Sequence, residues 1–252
     1  MSPRRRVASL VLAALLVARC TPPADQKGKP ANWTMIIGID VSGSFRGQYE
    51  DAIEFASQYI YAHVNGLGGL RVPTGLFVGS IGGERPGEPK AFHPINDFTG
   101  RTPEQIAADL RGWFKSIDAF TDFNVFFAQV AQLVKERGLV LAPLNVVLLS
   151  DGIQDVGARL ARGSNPIGQI DLSPLEFLSR SVTVRLLYAS PTVGDSWKRL
   201  IRRKRVRLWT VLAPVMVGWH RQYRPGVPLE RQADLWKWVQ DNVDFRARGG
   251  ML

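Results

Sequence analysis

Short apolar runs alternate with amphipathic stretches along the chain from Trp33 onward. Short runs dominated by apolar residues are typical of buried strands, and apolar residues at helical spacing are typical of amphipathic helices. The first kind of pattern predicts strands at 33–40, 74–81, 90–95, 144–151, 182–189 and 205–213. The second predicts helices at 48–64, 102–117, 124–137, 192–203 and 228–243. This alternation predicts an α/β fold with a doubly wound, mostly parallel central sheet and helices on both faces.

One edge of this sheet is expected to carry an antiparallel strand. The runs at 74–81 and 90–95 are separated by GGERPGEP, a segment rich in glycine and proline. Such segments favour tight connections between neighbouring antiparallel strands. We therefore expect the two runs to form a hairpin at the sheet edge.

The last predicted helix carries a stripe of apolar side chains. Its members are Leu229, Ala233, Trp236, Val239 and Val243. A stripe with this spacing is a packing face, so we assign the tryptophan to the core and not to a cofactor.

The composition is that of one globular domain. The 252 residues are 45% apolar and 21% charged, which is enough apolar material for a core. We find no internal repeat and no second regime of composition, so residues 33–252 are assigned to a single domain.

The first twenty residues, MSPRRRVASLVLAALLVARC, have the pattern of an export signal. Three arginines precede a twelve-residue apolar stretch from Val7 to Ala18, which is shorter than the roughly 20 residues a membrane span needs. The stretch resembles a bacterial lipoprotein signal in which Cys20 is lipidated, although Arg19 replaces the small residue usual before that cysteine. The resemblance implies export to the bacterial cell envelope, on the periplasmic or surface side, with a membrane anchor at residues 1–20. Residues 21–32, rich in Pro, Lys and Gly, are then a flexible linker.

The chain is basic, with a formal charge of +10. Removal of residues 1–19 would take away Arg4, Arg5, Arg6 and Arg19 and no acid, so the charge would fall by four to +6. The stretch KRLIRRKRVR (198–207) is predicted to be a solvated helix face that leads into a strand. Electrostatic binding to acidic lipid or nucleic acid is the alternative, and for an exported protein no nucleic acid partner is expected.

Oxygen-bearing side chains follow two of the predicted strands. Asp40, Ser42 and Ser44 come directly after the first strand, and Asp151 comes at the end of VVLLSD. Ligands bind at the carboxyl ends of parallel strands, and two carboxylates brought together there repel unless a cation or proton lies between them. Carboxylate and hydroxyl oxygens suit Mg²⁺, Mn²⁺ or Ca²⁺. Each piece alone has a simpler explanation, a helix cap for Asp40 and Ser42 and a plain turn for Asp151-Gly152.

Asp40-Val41-Ser42-Gly43-Ser44 after an apolar strand resembles the metal-ion-dependent adhesion site of von Willebrand factor type A domains. That family adds a threonine from a loop between helices and an aspartate in a T/S-D-G motif. Thr121 in FTDFNVFFAQVAQLV and Asp151 in LLSDGIQD match these pieces in the same order. The resemblance, over about residues 33–245, implies that Ser42, Ser44 and Thr121 offer hydroxyls to the metal.

In the same family pattern, Asp40 and Asp151 act largely through water and by hydrogen bonding to those hydroxyls. The metal then keeps an open position, which an acidic group of a protein partner can fill. The resemblance thus implies a metal-dependent adhesion or scaffold domain with no catalysis of its own.

A magnesium-dependent phosphatase is the alternative function. Haloacid dehalogenase-like phosphatases also begin with a strand that ends in an aspartate, and Asp151 with Asp155 could match their last motif. Their first motif is D-x-D, however, and here the second position is Ser42, which cannot protonate a leaving group near neutral pH. This missing carboxylate favours binding over phosphoester chemistry.

Two predicted loops could contact a partner. The connection 152–172 is long and has little periodicity. The segment 214–228 is expected to be a loop, and four of its residues are of types enriched at binding hot spots: Trp219, Arg221, Tyr223 and Arg224. Ordinary loop packing explains the same residues equally well.

Overall fold

The computed structural model describes residues 33–85, 88–115, 120–156, 165–179 and 181–245. The chain divides into compact units at residues 1–31 and 32–252, and the fold reported below belongs to the second unit. The predictions for the signal segment, for Cys20 and for the linker lie outside the described residues, as does part of the 152–172 connection. No described helix is both long and apolar enough to cross a membrane.

Strands and helices alternate along the described residues. The strands are β1 (Thr34–Ile39), β2 (Gly75–Ser80), β3 (Gly82–Gly83), β4 (His93–Pro94), β5 (Phe120–Thr121), β6 (Leu144–Leu149), β7 (Val182–Ala189) and β8 (Arg207–Leu212). The helices are α1 (Arg46–Asn65), α2 (Pro103–Trp113), α3 (Phe123–Glu136), α4 (Pro191–Leu200), α5 (Ala213–Met216) and α6 (Ala233–Asn242).

The central sheet has six strands in the order β4-β2-β1-β6-β7-β8. Strands β2, β1, β6, β7 and β8 are parallel, and β4 pairs antiparallel with β2 at the edge. The fold class and the antiparallel edge strand predicted from the sequence are confirmed. The hairpin strand is shorter than expected, because only His93 and Pro94 of the 90–95 run pair with β2, opposite Val78 and Phe77.

Hydrophobic cores lie on both faces of the sheet, which explains the continuous apolar runs. In β1, Met35, Ile37 and Ile39 pack into one core with residues of α1, α2 and α6. Ile36 points the other way, into a core built with α3 and α4. Successive side chains of a strand alternate between faces, so a strand covered on both sides is mostly apolar.

Three predicted helices are shorter in the structure: the one expected at 102–117 is Pro103–Trp113, and beside the other two, side chains bind the backbone. The helix expected at 192–203 ends at Leu200, and a few residues further on Glu176 accepts hydrogen bonds from the N–H groups of Lys204, Arg205 and Val206. The helix expected at 228–243 begins only at Ala233. Buried Gln232 binds the backbone of Arg224 and Val227 in the preceding turn.

The predicted core stripe of the last helix is only partly correct. Trp236, Val239 and Val243 are buried and Leu229 packs against the same core, but Ala233 is exposed. The stripe assumed one continuous helix from residue 228. Instead α6 begins at Ala233, so this alanine lies at the first position of the helix, where it is exposed.

A buried polar network ties α1 and the sheet to the residues after α6. The carboxylate of Asp244 accepts hydrogen bonds from the Tyr59 hydroxyl (2.6 Å) and lies 3.0 Å from Nε2 of His63. Arg185, 1% exposed in the middle of β7, donates to the carbonyl of Val243 (2.7 Å) and to the side chain of Asn145 on β6 (2.8 Å). His63 therefore belongs to the interior of the fold, where it pairs with Asp244.

Candidate metal centre

The centre lies where β1 and β6 end, next to each other in the middle of the sheet. Ile39 pairs with Leu149 at the last position of both strands, and the backbone N–H of Asp40 donates to the carbonyl of Leu149 (3.0 Å). Asp40 and Asp151 therefore leave the sheet at the same edge. They are far apart in sequence, but they follow two strands that pair directly with each other. This is the convergence that the sequence predicts.

The turn after β1 brings its three oxygen-bearing side chains together. Oδ1 of Asp40 accepts the backbone N–H of Ser42 (2.9 Å), and Oγ of Ser42 lies 3.1 Å from Oγ of Ser44. Neither Ser42 nor any other side chain caps the following helices: the short 3₁₀ turn Gly43–Phe45 and α1 both begin without a side-chain cap. The helix-cap explanation of Asp40 and Ser42 is thus not what the structure has.

Thr121 reaches the same point from a separate part of the chain. It lies in β5, which pairs with β3 so that Thr121 is opposite Gly82, and its backbone also exchanges two hydrogen bonds with Asp155 (2.9 and 3.0 Å). Its hydroxyl lies 3.5 Å from Oδ1 of Asp40. A Cβ on Gly82 would stand 2.5 Å from the carbonyl oxygen of Phe120, so the close pairing that positions Thr121 requires glycine.

One residue of the centre was missed in the sequence. Oγ of Ser150, which is fully buried, donates to Oδ2 of Asp40 (2.5 Å) and accepts the backbone N–H of Gly152 (2.9 Å). Its hydroxyl joins the turn after β6 to the turn after β1. The available signal was its position in the T/S-D-G motif, in which Ser150 is the first residue and Asp151 the second.

Burial raises the pKa of both carboxyl groups. The pKa of Asp40, which is 0% exposed, is raised to about 6, because desolvation outweighs the hydrogen bonds from Ser150 and Ser42 and the charge of Asp151 adds to it. The pKa of Asp151 is also raised by burial, against hydrogen bonds from the N–H of Ile153 and the hydroxyl of Ser44. Two acids held close together in this way form a site whose charge a cation would stabilise.

The donor set fits a hard divalent cation. Asp40, Ser42, Ser44, Thr121 and Asp151 are linked by hydrogen bonds in one cluster of carboxylate and hydroxyl oxygens, in which Ser44 is exposed and the other four are buried. Oxygen donors of this kind suit Mg²⁺, Mn²⁺ or Ca²⁺ better than Zn²⁺. With only two acids, the cluster differs from sites of three or more His, Cys, Asp or Glu side chains, and the described residues hold no group of that kind.

Gly152 positions the Asp151 turn, and its replacement by alanine is expected to lower the free energy of unfolding. Its φ is +79°, and a Cβ there would stand 2.6 Å from Leu186 and 2.9 Å from the indole nitrogen of Trp197. Backbone strain and overpacking together predict a loss of about 2 to 4 kcal/mol in denaturant unfolding. Gly100→Ala is the matched control, because Gly100 has a φ of +75° but nothing within 4 Å. Equal losses in the two variants would show that crowding at Gly152 contributes nothing.

The four residues predicted to contact a partner have different environments. Trp219 is 2% exposed and packs against Phe55 in the core, so the expectation of a surface tryptophan is corrected. The reason is that 214–228 is not simply a loop: it holds most of α5 and a 3₁₀ turn, Val217–Arg221, that packs on α1. Arg221 is exposed, Tyr223 lines a cleft of about 280 Å³, and Arg224 forms an exposed ion pair with Asp234 (2.5 Å).

The fold is α/β, with a mostly parallel six-stranded sheet, one antiparallel edge strand and helices on both faces. Similar solved structures include the mussel byssus proximal thread matrix protein 1 with a zinc-occupied metal-ion-dependent adhesion site (12% identity, 84% of this chain, 48% of that chain, TM-score 0.43). A second is the pilus adhesin SpaC of Lactobacillus rhamnosus GG in its open conformation (14% identity, 86% of this chain, 31% of that chain, TM-score 0.48). A third is the human COPII-coat protein Sec24c (11% identity, 87% of this chain, 33% of that chain, TM-score 0.45).

The chain spans about a third to a half of the length of these proteins. At such identities and TM-scores, the likeness does not carry their functions over to this chain. No protein-family model and no curated protein matches the sequence.

Proposed function

We propose that this protein is a metal-dependent protein-binding domain, of the adhesion or scaffold type. The observation that carries the proposal is the convergence of Asp40, Ser42, Ser44, Thr121 and Asp151 at one edge of the sheet. Three segments that are far apart in sequence contribute to this cluster: the turn after β1, the strand β5 and the turn after β6. Separate helix caps or turns would have no reason to meet there.

Each side chain has a distinct task in this proposal. The hydroxyls of Ser42, Ser44 and Thr121 hold the cation, which is Mg²⁺ or, alternatively, Mn²⁺ or Ca²⁺. Asp40 orients the hydroxyls around it, since its carboxylate already contacts Thr121, Ser150 and the backbone of Ser42. When bound, the cation supplies a Lewis-acidic position for an incoming carboxylate.

The partner in this proposal is another protein that presents an acidic residue to the cation. Because neutral hydroxyls make up most of the donor set, the bound cation keeps positive character and attracts an anionic ligand. Binding is favoured over the phosphatase alternative because Ser42 provides no general acid beside Asp40, and its hydroxyl lies next to that of Ser44 instead. The export signal further leads us to propose a location in the bacterial cell envelope, with Cys20 as the lipid attachment.

A magnesium titration of thermal stability tests the metal site. The wild type is expected to gain about 3 kcal/mol at a hundredfold excess over the dissociation constant, which corresponds to a melting temperature higher by about 5 to 10 °C. Thr121→Val removes one hydroxyl at nearly constant volume and should abolish most of this gain. Thr99→Val, which removes an exposed hydroxyl elsewhere, is the matched control. Equal gains in all three proteins would contradict the assignment of Thr121.

A separate measurement distinguishes binding from catalysis. Capture of an acidic peptide by the protein should depend on Mg²⁺ and disappear with EDTA or in Asp40→Ala. Hydrolysis of a generic phosphoester that depends on Mg²⁺ and on Asp40 would instead contradict the proposal and restore the phosphatase alternative.

A further inference from the structure

The edge of the sheet opposite the metal centre has a composition of its own. The parallel strands begin there in register: Thr34 lies beside Gly75 and Leu144, Leu144 beside Val182, and Thr183 beside Arg207. The connections that enter β2, β6, β7 and β8 therefore meet at this edge. Their described residues are 66–74, 137–143, 176–179, 181 and 201–206, and we call their shared surface the amino edge.

The amino edge is strongly cationic. Six basic residues of these connections are exposed: Arg71, Arg137, Arg202, Arg203, Lys204 and Arg205. Among their described residues the connections contain one acid, Glu176. That carboxylate is 6% exposed and accepts three backbone N–H groups of the 204–206 segment, so it faces inward. The surface thus presents many positive charges, and its acid is turned away from solvent.

Large apolar side chains stand exposed among these charges. Leu141 is 78% exposed, Phe177 72% and Val72 52%, each on a different connection. The guanidinium of Arg205 lies over the ring of Phe177, 5.4 Å from its centroid, so charge and apolar surface adjoin directly. Trp33 lies at the same edge and donates from its indole nitrogen to the carbonyl of Val72. Exposed apolar groups collected on one side of a molecule indicate a surface that is covered in use.

We propose that the amino edge docks on an anionic lipid bilayer. Basic side chains near an anionic membrane surface are attracted to its headgroups, and isolated apolar side chains between them can enter the interfacial layer. A tryptophan at the boundary between both environments is typical of this arrangement. Arginine stems bury apolar length while the charged ends reach the headgroups.

The apolar residues favour a bilayer over a nucleic acid. Val72 and Leu141 are aliphatic and protrude from separate loops, whereas nucleic acid binding to a basic surface uses aromatic side chains that stack on bases. The basic stretch 198–207 is in this proposal part of a docking face and not only a solvated helix end.

The proposal has a consequence for orientation. A bilayer on the amino edge leaves the metal centre at the carboxyl ends of β1 and β6 directed away from the lipid. The chain also enters β1 at this edge, from the segment predicted to be an anchor and linker. The docking itself depends on neither the anchor nor the metal site.

Vesicle binding by residues 32–252 tests the proposal. This compact unit contains the whole sheet and both cores, and it lacks the apolar stretch of the first twenty residues. We expect it to bind vesicles of phosphatidylglycerol and phosphatidylcholine, to release with added salt, and to bind pure phosphatidylcholine vesicles weakly. R202Q/K204Q should lower the partition coefficient by roughly fivefold for each charge removed, about 25-fold in total. L141S/F177S should lower it further at high salt, where apolar insertion dominates.

The control R221Q/R231Q removes the same charge from exposed positions between β8 and α6 and should change the partition coefficient by less than about threefold. An equal fall of the partition coefficient in R202Q/K204Q and in R221Q/R231Q would overturn the proposal, since only total charge would then matter. Equal binding to neutral vesicles, or no binding to either, would overturn it as well. Tighter binding to a DNA duplex than to anionic vesicles at the same salt would assign the surface to nucleic acid.

Discussion

Replacement of Asp244 by alanine is expected to lower the free energy of unfolding by about 3 to 5 kcal/mol. Asp244 is buried and accepts from Tyr59 and His63, while Arg185 holds the adjacent carbonyl of Val243. Burial alone would raise its pKa, but the charges of His63 and Arg185 and these hydrogen bonds lower the pKa overall. Its removal leaves Arg185, which is 1% exposed, without that neighbouring negative charge.

Denaturant unfolding at pH 7 measures this effect. Because the pKa of Asp244 is lowered in the folded state, its contribution is present at neutral pH and is lost only as the pH falls below about 4. Asp241→Ala is the matched control, since Asp241 lies three residues earlier in an exposed ion pair with Lys237, and it should change stability by less than about 1 kcal/mol. A loss in Asp244→Ala no larger than in this control would contradict the role of the network.

Arg185→Met in the Asp244→Ala background gives a further check. The two residues share the structure around residues 243–245, so the double variant is expected to lose less than the two single losses added together. Simple additivity would mean that the residues act independently.

The second large effect concerns the metal-free protein, in which Asp40→Asn is expected to be more stable than the wild type at pH 7. The pKa of Asp40 is raised by burial to about 6 in the folded state, compared with about 4 in an unfolded chain. Ionisation of this side chain therefore costs the metal-free fold about 3 kcal/mol at neutral pH. Asparagine keeps the shape and can still accept from the N–H of Ser42.

The pH dependence of this difference has a definite sign. A carboxyl group with a raised pKa in the folded state takes up protons on folding, so the wild type gains stability as the pH falls from about 6 to about 4. The advantage of Asp40→Asn should be largest above pH 6 and vanish below about pH 4. Denaturant unfolding in EDTA across this range measures it, and a difference independent of pH would contradict the burial of an ionising Asp40.

Magnesium should reverse the order of the two proteins. The cation stabilises the wild type through the ionised carboxylate, while the asparagine variant has lost one of the two charges that attract it. The same ionised carboxylate thus destabilises the metal-free protein and favours binding of the cation. A variant that is stabilised by Mg²⁺ as much as the wild type would contradict the proposed centre.

The strands and most helices follow from the sequence because their local patterns and the tertiary structure agree. The run MIIGI is apolar at every position and LNVVLL at all but Asn145, a pattern typical of strands covered on both faces. Thr102 with Gln105 forms a capping box at the start of α2, again a local signal. The end of α4 and the start of α6 were placed wrongly, because side chains bind the backbone beside them: Glu176, from 28 residues earlier, after α4, and Gln232 in the turn before α6.

The residues of the candidate metal centre could be named from the sequence, since each lies at a strand end or in a motif of fixed spacing. Their meeting point could not be derived from spacing alone, because it depends on the pairing of β1 with β6 and of β5 with β3. Ser150 was missed for the same reason: its hydroxyl matters only through a contact with Asp40, 110 residues earlier.

By itself the sequence determined the fold class and the candidate oxygen ligands, because both depend on patterns within a few residues. Only the tertiary structure decided which side chains are buried or exposed. It moved Trp219 from a presumed surface to the core, and it brought exposed Leu141 and Phe177 to the same edge as six exposed basic side chains, opposite the candidate metal centre. The physical reason is that burial and charge environment depend on long-range packing, which brings together segments that local patterns leave unrelated.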